Sequence, residues 1–200
     1  MRPLEDSPLV RAAGTLWKEA TTARFLDAVA DGSLPAEALS RWLVQDYHFA
    51  DALTSFQAIA VAKTPREFRK PLVAGLAALD AELDWFEAMA QQRGLNLKSP
   101  LHPTCRRYCD FLLRVAYTEP YPILLVVLFG VEASYLAAWS LLPQRGPYQE
   151  MIIRWSSPQF AEYVESLRTL AEKHPHEPGQ VFFEEVLMHE CDFWKMTWEG

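Results

Sequence analysis

The sequence specifies an all-α protein: a bundle of about eight helices around a central pocket. Three observations lead there. Apolar residues recur three and four apart along most of the chain, and no segment alternates convincingly at period two. Only 8 glycines interrupt the 200 residues, so long helical stretches stay intact. The 14 prolines, with those glycines, cut the chain at intervals of helix length. Half of the residues are hydrophobic and 12% are aromatic. That supplies a sizeable core for one domain, residues 1–200, and excludes a disordered chain.

The elements follow in order. A first helix covers Pro8 to Asp31, with a break at Thr21-Thr22, and Gly32 stops it. A second begins at Pro35, after an N-cap signature at Ser33, and runs to about Ala62. A third begins after Thr64-Pro65 and ends near Gly94. A loop with Pro100 and Pro103 leads into a fourth, which ends near Tyr117. Pro120 and Pro122 open the most apolar helix, and Pro143 closes it. Two shorter helices cover Tyr148 to Trp155 and Pro158 to Lys173. The His174-Pro-His-Glu-Pro-Gly segment reads as a linker, and a last helix runs from Gln180 to about Trp198. No repeat, low-complexity tract or domain boundary interrupts this order.

Composition excludes several classes of function. Net charge is -7, which disfavours a nucleic acid or an anionic membrane as partner. The N-terminus lacks the charged and apolar regions of a signal peptide. The longest apolar run, from Tyr121 through Glu132 to Leu142, contains a glutamate and reads as a core helix rather than a membrane span. The 3 cysteines are odd in number and lack metal-like spacing, as expected of a reduced, cytoplasmic protein.

Three carboxylates sit inside three of the most apolar stretches: Asp46, Glu132 and Glu190. An ionised carboxylate is rarely buried without a partner, because desolvation costs several kcal/mol or forces its pKa upward. Helical spacing puts Asp46 on a face with Leu43, Phe49 and Ala50. Glu132 shares one with Leu128, Tyr135 and Leu136, and Glu190 one with Val186, Phe193 and Trp194. Singly, each fits a core residue hydrogen-bonded to a tyrosine or an ion pair between helices. Together they predict one polar pocket inside a helical core, with mutual repulsion raising at least one pKa as acid–base work requires.

Other features carry less. Cys105 and Cys109 share a face but read as small core hydrophobes. The acidic run Asp80, Glu82, Asp84, Glu87 reads for the most part as a solvated face. Trp42, Trp85, Phe86, Trp155 and Phe160 read as core. Metal-binding bundles use Glu-x-x-His pairs, and none occurs: His48, His102, His174, His176 and His189 do not form the pattern. Glu185 and His189, four apart, read as structural. No metal and no cofactor is expected.

The chain resembles the TenA-like (thiaminase II) family, over nearly its whole length. The likeness rests on three segments: Phe25-Leu-Asp-Ala-Val-Ala-Asp-Gly-Ser-Leu-Pro followed by Trp42-Leu-Val-Gln-Asp-Tyr; Gly130-Val-Glu-Ala-Ser-Tyr-Leu-Ala-Ala-Trp; and Glu190-Cys-Asp-Phe-Trp. The resemblance implies a haem-oxygenase-like fold and a homo-oligomer, a dimer or tetramer. It implies cleavage of thiamin or hydrolysis of an aminomethylpyrimidine, with that small-molecule pyrimidine as substrate. By the same likeness Asp46 would bind the amino and ring nitrogens, Phe49 would stack the ring, and Tyr108 and Tyr135 would hydrogen-bond. Glu190 would transfer protons, with Glu132 sharing the proton or orienting Tyr135.

One departure stands out. The cysteine-containing branch carries its nucleophile where this chain has Val131, and a further tyrosine where it has Trp155. The chain therefore looks like the branch that lacks the cysteine and uses a glutamate. The alternatives are a protein that binds a pyrimidine without turnover and an oxygenase of the same fold. The lack of clustered histidines speaks against the oxygenase.

Overall fold

The computed structural model describes residues 2–174 and 178–200. Among them lie ten α-helices and two single 3-10 turns, Leu4–Asp6 and Arg66–Phe68, with no strand. The expected first helix is three: α1 (Pro8–Ala13), α2 (Thr15–Thr21) and α3 (Arg24–Asp31). The Thr21-Thr22 break is present, as Thr22 and Ala23 are extended. The second break, at Gly14, is an addition. Its backbone sits at φ 56°, ψ -120°, a conformation in which a Cβ would clash.

α4 (Ala36–Lys63) starts one residue after Pro35, which is its N-cap. Ser33 does not cap it; its amide donates to Asp31 Oδ1 at 2.9 Å in the turn after α3. α5 (Arg69–Arg93) ends at Gly94, in the left-handed conformation at φ 65°. α6 (Pro103–Thr118) is capped by His102 Nδ1, which accepts from the Thr104 amide at 3.1 Å. α7 (Tyr121–Ser140), α8 (Gln149–Trp155) and α9 (Pro158–Lys173) follow close to the expected bounds. Ser157 caps α9 by accepting from the Phe160 amide. The middle of the expected linker, residues 175–177, lies outside the described residues, and α10 (Gly179–Glu199) ends the chain.

α7 is the axis of the bundle. It packs against α2, α4, α6, α8, α9 and α10, so every face of it is covered. That is why it is apolar all round rather than amphipathic. Among the described residues it is the one helix long and apolar enough to cross a membrane, and 83% of its most apolar stretch is buried in the protein. α4 lies along α5 and α6, and α9 bridges α5 and α7. α10 packs tightly on Gly130 of α7: a Cβ there would stand 3.2 Å from Val186 Cγ1 and 3.3 Å from the Phe183 ring. A cluster of tryptophans fills the core beside the site. Trp42 meets Trp155 edge-on at 5.3 Å and Trp139 at 5.8 Å.

Candidate active site

A cavity of about 340 Å³ opens between α5, α8 and α9. Its inner end is a chamber of about 40 Å³ walled by α4, α5, α7, α8 and α9. The two share Leu79, Glu82, Glu132, Trp155 and Phe160, which form the throat between them. The walls of the inner end are flat and apolar, with Phe49, Tyr135, Trp155 and Phe160, and three carboxylates face it: Asp46, Glu82 and Glu132. Among the described residues none of the three has an ion-pair partner.

Helical spacing explains the arrangement. Asp46 and Phe49 stand one turn apart on α4, followed by Ala50 and Leu53 on the same face. On α7, Val131, Glu132 and Tyr135 present one surface. The Tyr135 hydroxyl donates to Asp46 Oδ2 at 2.7 Å, tying α7 to α4. Burial pushes the Asp46 carboxyl well above its usual range, against the Tyr135 hydrogen bond that pulls it down. Burial likewise raises the Tyr135 hydroxyl, so it keeps its proton and acts as a donor.

Glu132 is 8% exposed, and its carboxylate makes no hydrogen bond among the described side chains. Burial, then the charges of Glu82 and Glu190, push its pKa up to about 8. Glu190 is buried on α10 and is raised to about 7 by burial, opposed by a hydrogen bond from the Tyr108 hydroxyl at 2.6 Å. Glu190 and Tyr108 do not reach the cavity wall. Tyr108 packs on Phe49, with ring centroids 4.5 Å apart. The three expected carboxylates thus gather in one region, but only Asp46 and Glu132 face the open space. Tyr135 is oriented on Asp46 rather than on Glu132.

Three residues of the site escaped the sequence reading. Glu82 is half-buried at the throat, whereas Asp80, Asp84 and Glu87 are exposed. The signal was its register: Leu72, Gly75, Leu79, Phe86 and Ala90 are the buried residues of α5, and position 82 falls on their face. Burial raises the Glu82 pKa, against a hydrogen bond that it accepts from Trp155 Nε1 at 2.8 Å and the charge of Arg154. Trp155 and Phe160, read as core, line the cavity.

The cysteines stand apart. Cys105 and Cys109 lie with their sulfurs 3.9 Å apart on α6, outside the cavity, and the Cys105 thiol donates to the Gln45 carbonyl. Cys191 lines a separate surface groove and is pushed up to about 11, mainly by burial. Val131, at the position of the branch cysteine, is on the chamber wall. Glu185 accepts from Arg114 at 3.0 Å, and His189 stacks on Tyr108, so the two do not form a pair. Among the described residues no three His, Cys, Asp or Glu side chains are grouped to hold a metal ion.

Comparisons agree with this architecture. A TenA homologue from Pyrococcus furiosus is 31% identical and superposes with a TM-score of 0.88 over 94% of this chain and 97% of its own. A Shewanella denitrificans domain with a haem-oxygenase-like fold, 15% identical, superposes with a TM-score of 0.73 over 96% of this chain and 90% of its own. This chain therefore has the haem-oxygenase-like fold. A Glycine max protein named probable bifunctional TENA-E protein is 24% identical over 91% of this chain and 88% of its own length. The model of the TENA/THI-4/PQQC family matches residues 11–200, and the chain belongs to that family.

Proposed function

We propose that the protein is a hydrolase of thiamin-related aminopyrimidines, releasing an amine or formyl-amine to salvage the pyrimidine. The observation that carries this reading is the inner chamber: aromatic walls with carboxylates and no cation facing them. Such walls suit a flat, electron-poor ring bearing amino groups, since carboxylates accept hydrogen bonds from amines. The family gives the same direction. The Glycine max relative is named a TENA-E protein, and a solved structure from Sulfolobus solfataricus, 19% identical, carries the name of a proposed TenA-like thiaminase.

In this reading the ring lies across the inner chamber and the outer cavity, with its inner part on Phe49 and its amino edge on Asp46, which Tyr135 holds in place. A water replaces the amine at the exocyclic methylene. The carbon–nitrogen bond breaks, a carbon–oxygen bond forms, and the nitrogen leaves with a proton. Glu132, on the wall with a pKa of about 8, takes in its ionised form the proton that the water sheds and hands it to the departing nitrogen. A group titrating near the working pH serves both as acid and as base. Glu190, with a pKa of about 7, stands behind the wall on the Tyr108 hydroxyl, and its charge helps to hold the Glu132 pKa up. Val131 has no nucleophilic atom, so the chain works as the glutamate branch without a covalent intermediate.

The experiment is incubation with thiamin, an aminomethylpyrimidine and its N-formyl derivative, followed by mass spectrometry. Appearance of the hydroxymethylpyrimidine from either pyrimidine substrate supports the reading. Binding of the ring without any product supports a non-catalytic pyrimidine-binding protein instead.

A further inference from the structure

We propose that Glu82 is a specificity-determining residue of this site, receiving the positively charged amino substituent of the substrate at the throat of the cavity. The inference rests on the aminopyrimidine reading above and goes beyond it by assigning a residue and a charge preference.

Position comes first. Glu82 belongs to both the inner end and the outer cavity, so a ligand that reaches the chamber from the outer cavity passes it. Its orientation is set, because Trp155 Nε1 donates to Oε1 at 2.8 Å. Trp155 is in turn braced edge-on by Tyr135 at 5.7 Å and by Trp85 at 5.1 Å. Oε2 has no hydrogen bond from the described side chains. Arg154, the basic residue on the cavity wall, makes no salt bridge with it, and its charge offsets only part of the burial that raises the Glu82 pKa. The Arg154 guanidinium lies over the Trp85 ring, 4.9 Å from its centre, and makes no salt bridge among the described residues.

A second observation is independent of Glu82. The Glu132 carboxylate, more than nine-tenths buried, also faces the throat without a partner. Two carboxyl groups facing one narrow space make each other costly to ionise, through desolvation and repulsion. A cation placed between them relieves both effects. An uncharged group at that point relieves much less, and an anion adds to the repulsion. An aminomethyl group is protonated at neutral pH. A ring with its amino edge on Asp46 directs its remaining substituents along the space toward the throat.

The test compares two ligands of the same shape: the aminomethylpyrimidine and its uncharged hydroxymethyl counterpart. Affinities are read by tryptophan fluorescence on rapid mixing, before turnover. Glu82→Gln keeps an acceptor for Trp155 Nε1 but removes the charge. It should weaken the amine about tenfold or more, as expected for a charge-assisted hydrogen bond, and change the hydroxymethyl ligand less than about twofold. A purely structural role would weaken both ligands alike, and that result, or no change in either, overturns the proposal. If circular dichroism shows the glutamine variant unfolded, Glu82→Asp carries the test, because it keeps the charge but withdraws it by one methylene. It should lower the preference for the amine, and an unchanged preference overturns the proposal. A wild-type protein that binds neither ring defeats the aminopyrimidine reading and this proposal with it. Binding of both rings with no dependence on Glu82 defeats this proposal alone.

Discussion

Asp46, Glu132 and Glu190 are each at most 8% exposed, and no described cation pairs with any of them. Burial without counter-charge costs stability, so the site works against the fold. One consequence is a pH dependence of stability. Glu132 has a pKa of about 8 in the folded protein against an ordinary 4.5, and Glu190 one of about 7. Between those values the folded state holds protons that the unfolded chain releases. Stability from these groups is therefore full below the ordinary carboxylate pKa and is lost as pH rises through the folded values. Thermal melting should show wild type weakening from about pH 5 to about pH 8. Glu132→Gln should melt higher than wild type at the upper end, with the difference shrinking toward the lower end. A second expectation concerns binding. Asp46→Asn keeps the oxygen that Tyr135 bonds but adds a mismatched donor and removes the charge. Titration with the pyrimidine should show affinity falling by roughly ten- to a hundredfold. Asp46, Glu132 and Glu190 were legible in sequence because each interrupts an apolar stretch. Glu82 was not, because its neighbours Asp80, Asp84 and Glu87 point to solvent and only the helical register separates it from them.

At the level of elements, the legible features were those whose chemistry is local. α7 announced itself by being apolar on all faces, and α9 by Pro158 at its start. The division of α1 from α2 was not legible. A lone glycine in a helical pattern is tolerated, and nothing local in the sequence marks Gly14 as the one that takes a positive φ of 56°. Gly75 shows a different use of glycine. It lies on the buried face of α5, where a Cβ would collide with the Tyr163 hydroxyl and the Gln57 amide. Tyr163 lines the outer cavity, so close packing of α5, α4 and α9 at this point shapes the approach to the site. Gly75→Ala should lower stability by about 1–3 kcal/mol, the usual cost of overpacking, partly offset by better helix propensity. Denaturant unfolding measures the loss. If Tyr163 moves into the outer cavity, KM rises while kcat is little changed.

For the whole molecule, an axial apolar helix with a carboxylate pocket along its side is how one sequence reconciles a large core with a polar site. The helix count rose from about eight to ten among the described residues, with both additions in the first 31 residues. The surface retains large apolar side chains, including Val181 and Met188, 64% and 52% exposed and two turns apart on α10. Glu184 and Glu185 stand between them, so the pair is no continuous patch; we propose a homo-oligomer on the family likeness. Sedimentation at micromolar concentration should give a multiple of the 22.9 kDa chain mass; the monomer mass alone would refute it.

The central claim is that a carboxylate on the chamber wall moves the proton during hydrolysis. Its most direct test is the steady-state turnover of the aminomethylpyrimidine by wild type and by Glu132→Gln, with ligand affinity measured in parallel. Glutamine keeps the shape and loses the proton, so kcat should fall by ~10²–10⁴ while the ring still binds. Turnover by Glu132→Gln at the wild-type rate would contradict the account.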